Sequence, residues 1–232
     1  MQLSTIISQA RIGELATISK QNLTDEKIVY YLNLALQNLY NYFIMDTAEA
    51  IITLSPIKFI YRFDGTDNDV LVNGNPVPTD EYMIALKVYD ELGIRYKINN
   101  STEFPSPQLT YTEKLQTVHS IYTIGQYAIQ VPYPDVSKYL SVIYRKNAPI
   151  IQYIDDGTGS AVDTVVPIPN QFLEAILLYI GYRGHLAITG NPQTDNNVHY
   201  IRYKQELKEL EQNGIIPIAN LDNNSIEFKG FV

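Results

Sequence analysis

The chain has 232 residues, enough for one large domain or two small ones with a sizeable core, and its 45% hydrophobic content is that of a globular protein. Seventeen basic residues against twenty-five acidic ones leave a net charge of −8, which argues against a nucleic-acid reader whose affinity comes from neutralising phosphates. The absence of cysteine excludes disulfides, thiolate metal sites and thiol nucleophiles, and fits a reducing compartment.

The opening residues, MQLSTIISQARIGEL, lack a basic region followed by an apolar run, so no secretory signal is read there. Leu3, Ile6, Ile7 and Ala10 mark a short amphipathic helix that fades at Gly13. A second helix opens at Thr24, an acceptable N-cap, with Asp25 and Glu26 in its first turn. Ile28, Leu32, Ala35, Leu39 and Tyr42 form its stripe, widened by Leu36, as a seam for packing against other helices.

From residue 48 the pattern changes to strand signals. Runs at 50–54 and 58–63 flank Ser55-Pro56, and Val70-Leu71-Val72 enters Asn73-Gly74, a type I′ turn signature. Residues 85–89 and 94–98 read as a hairpin with Gly93 in the left-handed position. Two more strands are expected at 121–131 and 139–145, and a further hairpin at 150–154 and 161–166 around the Asp155 to Ser160 turn. The stretch 100–120 reads as loop with one strand at most. Many short strands joined by turn chemistry indicate a small sandwich or barrel.

Pro167-Ile168-Pro169 stops the last strand, and Asn170 is placed to cap a helix from 171 to about 188. That helix is apolar nearly all round, which implies burial on most sides, by partners as well as by its own bundle. Glu174, Arg183 and His185 break it too often for a membrane span. Gly181, Gly184 and Ala187 lie on successive turns and allow close helix approach. A last helix runs from about 195 to 213, with Tyr200, Tyr203, Leu207 and Leu210 on one stripe and Arg202 paired with Glu206 at i, i+4. Gly214 is a natural C′ residue. The remaining residues, 215–232, show no second helical pattern yet keep Ile226, Phe228, Phe231 and Val232 among asparagines. An apolar tail of that kind is either strapped to its own domain or offered to another chain, and the second reading is preferred.

Little chemistry is nominated. His185 and His199 could approach each other near Asp195, and two histidines with a carboxylate could bind zinc, but the spacing matches no metal motif. His119 has no carboxylate placed by local spacing. The Asp64 to Asp69 run lacks the glycine and bidentate glutamate of a calcium loop, so a solvated turn is the simpler reading. No nucleophile elbow, phosphate loop or zinc-protease motif occurs. No catalytic residue, cofactor or metal is expected, and a hydrolase built on His185 and His199 is the most remote reading. Nineteen tyrosines against seven phenylalanines and no tryptophan suit surfaces buried on assembly; the other reading is tyrosine replacing phenylalanine in the core.

The fold class read from these blocks is α+β. Residues 1–47 and 167–214 form a discontinuous helical bundle, 48–166 an inserted β-sandwich or barrel-like domain, and 215–232 an extended C-terminal arm. With DEKIVYYLN at 25–33, LYNYF at 39–43, PIP at 167–169, LYIGYR at 178–183, VHYIRY at 198–203 and NNSIEFKGFV at 223–232, the order of features resembles the head–tail connector (adaptor or gatekeeper) ring proteins of tailed bacteriophages, of the short-tailed or crAss-like type. The resemblance implies a structural virion protein, made in the host cytoplasm and placed at the head–tail junction. It implies a homo-oligomeric ring, a dodecamer, between the portal and the tail or nozzle proteins, with DNA passing through the channel without specific binding, no membrane and no catalysis. A ring needs two different faces on each subunit. Phe172, Ile176, Tyr179, Gly181 and Gly184 are the expected subunit-packing residues, and Ile226, Phe228, Phe231 and Val232 the partner-binding residues of the arm. The alternative is a β-domain binding module of a phage tail or surface protein, recognising carbohydrate or a receptor.

Overall fold

The computed structural model describes residues 1–99, 118–125, 127–134, 137–155, 157, 162–189 and 198–215. The fold is α+β, and the chain divides into two compact units, Met1–Ile44 with Ala148–Val232, and Met45–Asn147.

In the first unit, α1 (Leu3–Ile12) buries Leu3, Ile6, Ile7 and Ala10, the i, i+3, i+4, i+7 set that a single helix face requires. It stops at Gly13, whose N–H donates to Gln9 O. α2 (Asp25–Tyr42) starts where Thr24 Oγ1 accepts the N–H of Lys27. Ile28, Leu32, Ala35, Leu36 and Leu39 are all buried, each large side chain contributing about 1.5–3 kcal/mol of transfer free energy. Tyr42 departs from the expected stripe: it is 38% exposed, and its hydroxyl donates to the Glu211 carboxylate. Arg11 clamps the start of α2, with Nη2 2.6 Å from Asp25 Oδ1 and 2.5 Å from Leu23 O.

Residues 148–166, read from the sequence as the end of the β block, cluster with the helices. Their described part contains no strand of either sheet. Asn33 holds them from α2 like a strand neighbour: its Nδ2 donates to Ile151 O, and its Oδ1 accepts from Ile151 N–H, both at 2.8 Å. Residues 164–166 instead pair with the chain start, through Leu3 N–H to Thr164 O (2.9 Å) and Val166 N–H to Met1 O (2.7 Å). Asn170 begins a 3₁₀ turn, Asn170–Phe172, rather than capping the helix from outside. α3 (Leu173–Thr189) follows and packs on α1, on α2 and on α4 (Val198–Gln212). Tyr203, Leu207 and Leu210 are the buried stripe of α4. That helix ends at Gly214, in the left-handed region at φ +89°, with Ile215 N–H returning to Leu210 O.

The second unit has two sheets. The first contains β1 (Thr47–Thr53), β3 (Val70–Val72), β4 (Asn75–Pro76), β5 (Tyr82–Asp90) and β9 (Tyr139–Lys146), in the order β4-β3-β1-β9-β5 with every pair antiparallel. The second contains β2 (Ile60–Arg62), β6 (Lys97–Asn99), β7 (Ser120–Thr123) and β8 (Ala128–Gln130), in the order β2-β8-β7-β6. Asn73 and Gly74, at φ +51° and +80°, form the predicted tight turn between β3 and β4. Two strand expectations are corrected. Residues 121–131 are not one strand but β7 and β8, because Gly125 adopts φ +67° and Ile124 N–H turns back to Ala128 O. Residues 94–96 do return along β5 as the expected hairpin, with Gly93 at φ +78°, Asp90 N–H donating to Ile94 O (3.1 Å) and Tyr96 N–H to Val88 O (2.8 Å). Residues 97–99, however, pass into the second sheet, where β6 runs parallel to β7.

Both sheets feed one core, including Ile52, Val88 and Val142 from the first and Tyr61, Ile121 and Ile129 from the second. Four tyrosines belong to this core, and each has a hydroxyl partner. Tyr144 donates to Glu81 (2.7 Å) and Tyr61 to Lys58 O (2.9 Å), Tyr82 accepts from Ala85 N–H (2.9 Å), and Tyr96 bonds Ser137 (2.9 Å). Burial pushes the Tyr82 phenol up to about 12. Part of the tyrosine excess therefore serves the interior, where an apolar ring with one satisfied hydroxyl replaces phenylalanine.

Candidate functional site

The two flanking histidines of α3 and α4 do meet. His185 and His199 stack with ring centroids 4.6 Å apart and planes 11° from parallel. Asp195 lies outside the described residues, and the carboxylate at this site is Glu14, from the link between α1 and α2. Its carboxylate bonds His199 Nδ1, and its backbone carbonyl lies 2.9 Å from His185 Nε2. Arg202 reaches the same carboxylate at 3.5 Å and Glu174 at 3.5 Å, so its partners are these two acids and not the expected Glu206. Among the described residues no group of three His, Cys, Asp or Glu side chains is placed to hold a metal ion. The cluster ties the α1–α2 link to α3 and α4, and its geometry is that of a structural clasp.

All five residues expected to pack between subunits are buried in their own unit. Phe172 stacks at a tilt on Phe43, 5.6 Å between centroids, and Ile176 is fully buried. Tyr179 packs edge-on against Tyr182 and Tyr203, with its hydroxyl accepting from Asn38 Nδ2 at 3.1 Å. A Cβ on Gly181 would lie 2.8 Å from Glu14 Cβ, and one on Gly184 2.6 Å from Leu15 Cδ2. The α1–α2 link fills the small-residue face of α3, so the apolar girdle of that helix is satisfied within the chain. The missing signal was Leu15 and Leu23, buried in a link without helical periodicity.

The acidic run at 64–69 is neutralised internally. Lys58 Nζ lies between Asp67 and Asp69 and pairs with both. Asp67 also accepts the N–H groups of Arg62 and Asp69, both at 3.0 Å. Burial raises the Asp67 carboxyl, but Lys58 and these N–H donors lower it further, so it lies below its ordinary value. His119 is an edge-on neighbour of Tyr96, with centroids 5.2 Å apart.

The proposed arm residues Ile226, Phe228, Phe231 and Val232 lie outside the described residues. Among the described residues no helix is long and apolar enough to cross a membrane. On the surface of the first unit, the helix pair α3 and α4 has two edges that differ in charge. Periodicity along 198–212 contained that signal, since Lys204 and Lys208 fall one turn apart on one flank and Glu206 and Glu209 on the other.

No curated protein matches the chain. A family model does: that of the SU10 adaptor protein matches residues 1–220.

Proposed function

Because this chain belongs to the SU10 adaptor protein family, a family of phage structural adaptors and not of enzymes, we propose that it assembles into a ring joining the portal to the tail at the head–tail junction of the virion. The observation that carries this reading is the extent of the family match, which spans both compact units rather than one of them. DNA passes through the ring without specific binding, and the net charge of −8 keeps such a lining from adhering to phosphate. No observation favours the β-domain binding module.

In this reading the helical unit forms the body of the ring, and the β-rich unit is an insertion of sandwich type. Residues 215–232 are an arm whose Ile226, Phe228, Phe231 and Val232 engage a neighbouring protein by adding backbone to a sheet edge and filling pockets with alternate side chains. Phe172 and the four α3 residues that the subunit itself buries are not assigned to that contact.

Native mass spectrometry of the purified chain, alone and with the portal and tail proteins of the same phage, tests the proposal. The expected result is a discrete multiple of the chain mass that also captures portal protein. A monomer under every one of these conditions overturns it.

A further inference from the structure

α3 and α4 meet along two seams of opposite character. On the first, Arg202 lies 3.5 Å from both Glu174 and Glu14. Glu206, one turn further along α4, shares this seam with Glu209. Its carboxyl is held above the ordinary value first by burial, then by the neighbouring Glu209 and Glu174 carboxylates. Glu14 and Glu174 thus share one guanidinium, and Glu206 and Glu209 add two further carboxylates to the same seam.

On the second seam, the Tyr182 and Tyr200 rings lie 5.0 Å apart. The Arg183 guanidinium stands 6.0 Å from the Tyr182 ring centroid, and Lys204 Nζ 5.5 Å from that of Tyr200. Lys208 follows one turn beyond. Among the described residues, Arg183, Lys204 and Lys208 form no ion pair with a carboxylate. The acid on this flank of α4, Glu211, accepts the Tyr42 hydroxyl.

Resting on the ring reading above, we propose that the cation–tyrosine flank of one copy docks against the carboxylate flank of the next copy. Charge complementarity commits the occupant. In a chain of net charge −8, the cations of this helix pair that lack a carboxylate partner lie along one edge, and its other edge has surplus carboxylate. Like edges repel and unlike edges attract, so two copies associate head to tail, the heterologous arrangement that closes into a ring. Between the flanks, α4 presents Val198 and Ile201, 64% and 44% exposed, as the apolar centre that such a contact requires.

A charge exchange tests this. One full-length variant has Arg183→Glu with Lys204→Glu, and the other Glu206→Lys with Glu209→Lys. Assembly is read by mass photometry, and folding by thermal melts. Each variant alone should assemble at least roughly tenfold more weakly than the parent chain, and an equimolar mixture should restore assembly, because each restores the other's complement. Variants that assemble like the parent, or a mixture of folded variants that fails to recover, would overturn the proposal. Should the reversals impair folding, Arg183→Gln with Lys204→Gln should weaken assembly in the same direction, and unchanged assembly refutes it. A parent chain that stays monomeric with portal and tail proteins present defeats the ring reading, and this proposal with it. A parent chain that forms rings but loses only portal capture on reversal assigns the flank to the portal and refutes docking between copies.

Discussion

His185 and His199 stack face to face, 4.6 Å between ring centroids, and both address one residue, Glu14, through its carbonyl and its carboxylate respectively. Glu14 stands in a link with no helical pattern of its own. It fixes the entry to α2 against the two C-terminal helices, and with Arg202 it sets one edge of the α3–α4 pair.

Glu14→Ala should therefore lower the stability of the first unit by about 1–3 kcal/mol, the range for losing partly buried hydrogen bonds to a charged group. Glu14→Gln should recover part of that loss, since an amide can still accept from His199. Urea unfolding followed by circular dichroism measures both. An alanine variant as stable as the parent would show that the clasp is not a structural tie.

The two glycines of α3 should separate. A Cβ at Gly184 meets the tip of Leu15, at 2.6 Å, and a leucine tip can rotate away; a Cβ at Gly181 meets Glu14 Cβ, at 2.8 Å, next to the backbone. Either alanine gains about 1 kcal/mol of helix propensity, against about 1–3 kcal/mol for overpacking. Gly184→Ala should come out near neutral, and Gly181→Ala destabilised by about 1–2 kcal/mol. Scanning calorimetry that finds the order reversed contradicts the packing described for this face.

Asp67 gives the second unit an acid-dependent stability. Its carboxyl lies below the ordinary value in the folded chain, burial being outweighed by Lys58 and the N–H groups of Arg62 and Asp69. A folded value depressed below the unfolded one, about 3.9, stabilises fully above the unfolded value and is lost as pH falls through the folded one, that is, below about pH 4. Asp67→Asn should cost about 1–3 kcal/mol at pH 7 and flatten the acid slope, leaving the part due to Asp64, which is also depressed. Urea titrations from pH 7 to pH 3 that show parallel slopes in the two proteins would refute this assignment.

Removing residues 216–232 should leave the thermal melt of the subunit unchanged and abolish joining to the neighbouring particle proteins. Changing Ile226, Phe228 and Phe231 to serine should act in the same way. A truncated chain that no longer folds would instead make this segment an internal strap.

Local pattern is legible wherever one period dominates. Leu3, Ile6, Ile7 and Ala10 define α1, Thr24 with Ile28 and Leu32 defines α2, and Asn73-Gly74 states its own turn geometry. The far end of the strand at 94–98 and the continuity of that at 121–131 are misread because an apolar run does not reveal which sheet receives it, or that one glycine within it has positive φ. The α3 girdle is legible as buried but not by what: its cover is Leu15, Leu23 and Glu14, and the contact of Glu14 with His199 spans 185 positions. Residue type alone likewise leaves the role of Tyr82 and Tyr144 open, since ring and hydroxyl suit a core and an interface equally until the partners Ala85 and Glu81 are seen.

The most direct measurement is a cryo-electron microscopy map of the head–tail junction in intact virions. The account predicts a closed ring of this chain around the axial channel between portal and tail, with the helical units touching head to tail through the α3–α4 edges. Density for this fold on fibres or on the tail surface, or none at that junction, would contradict it.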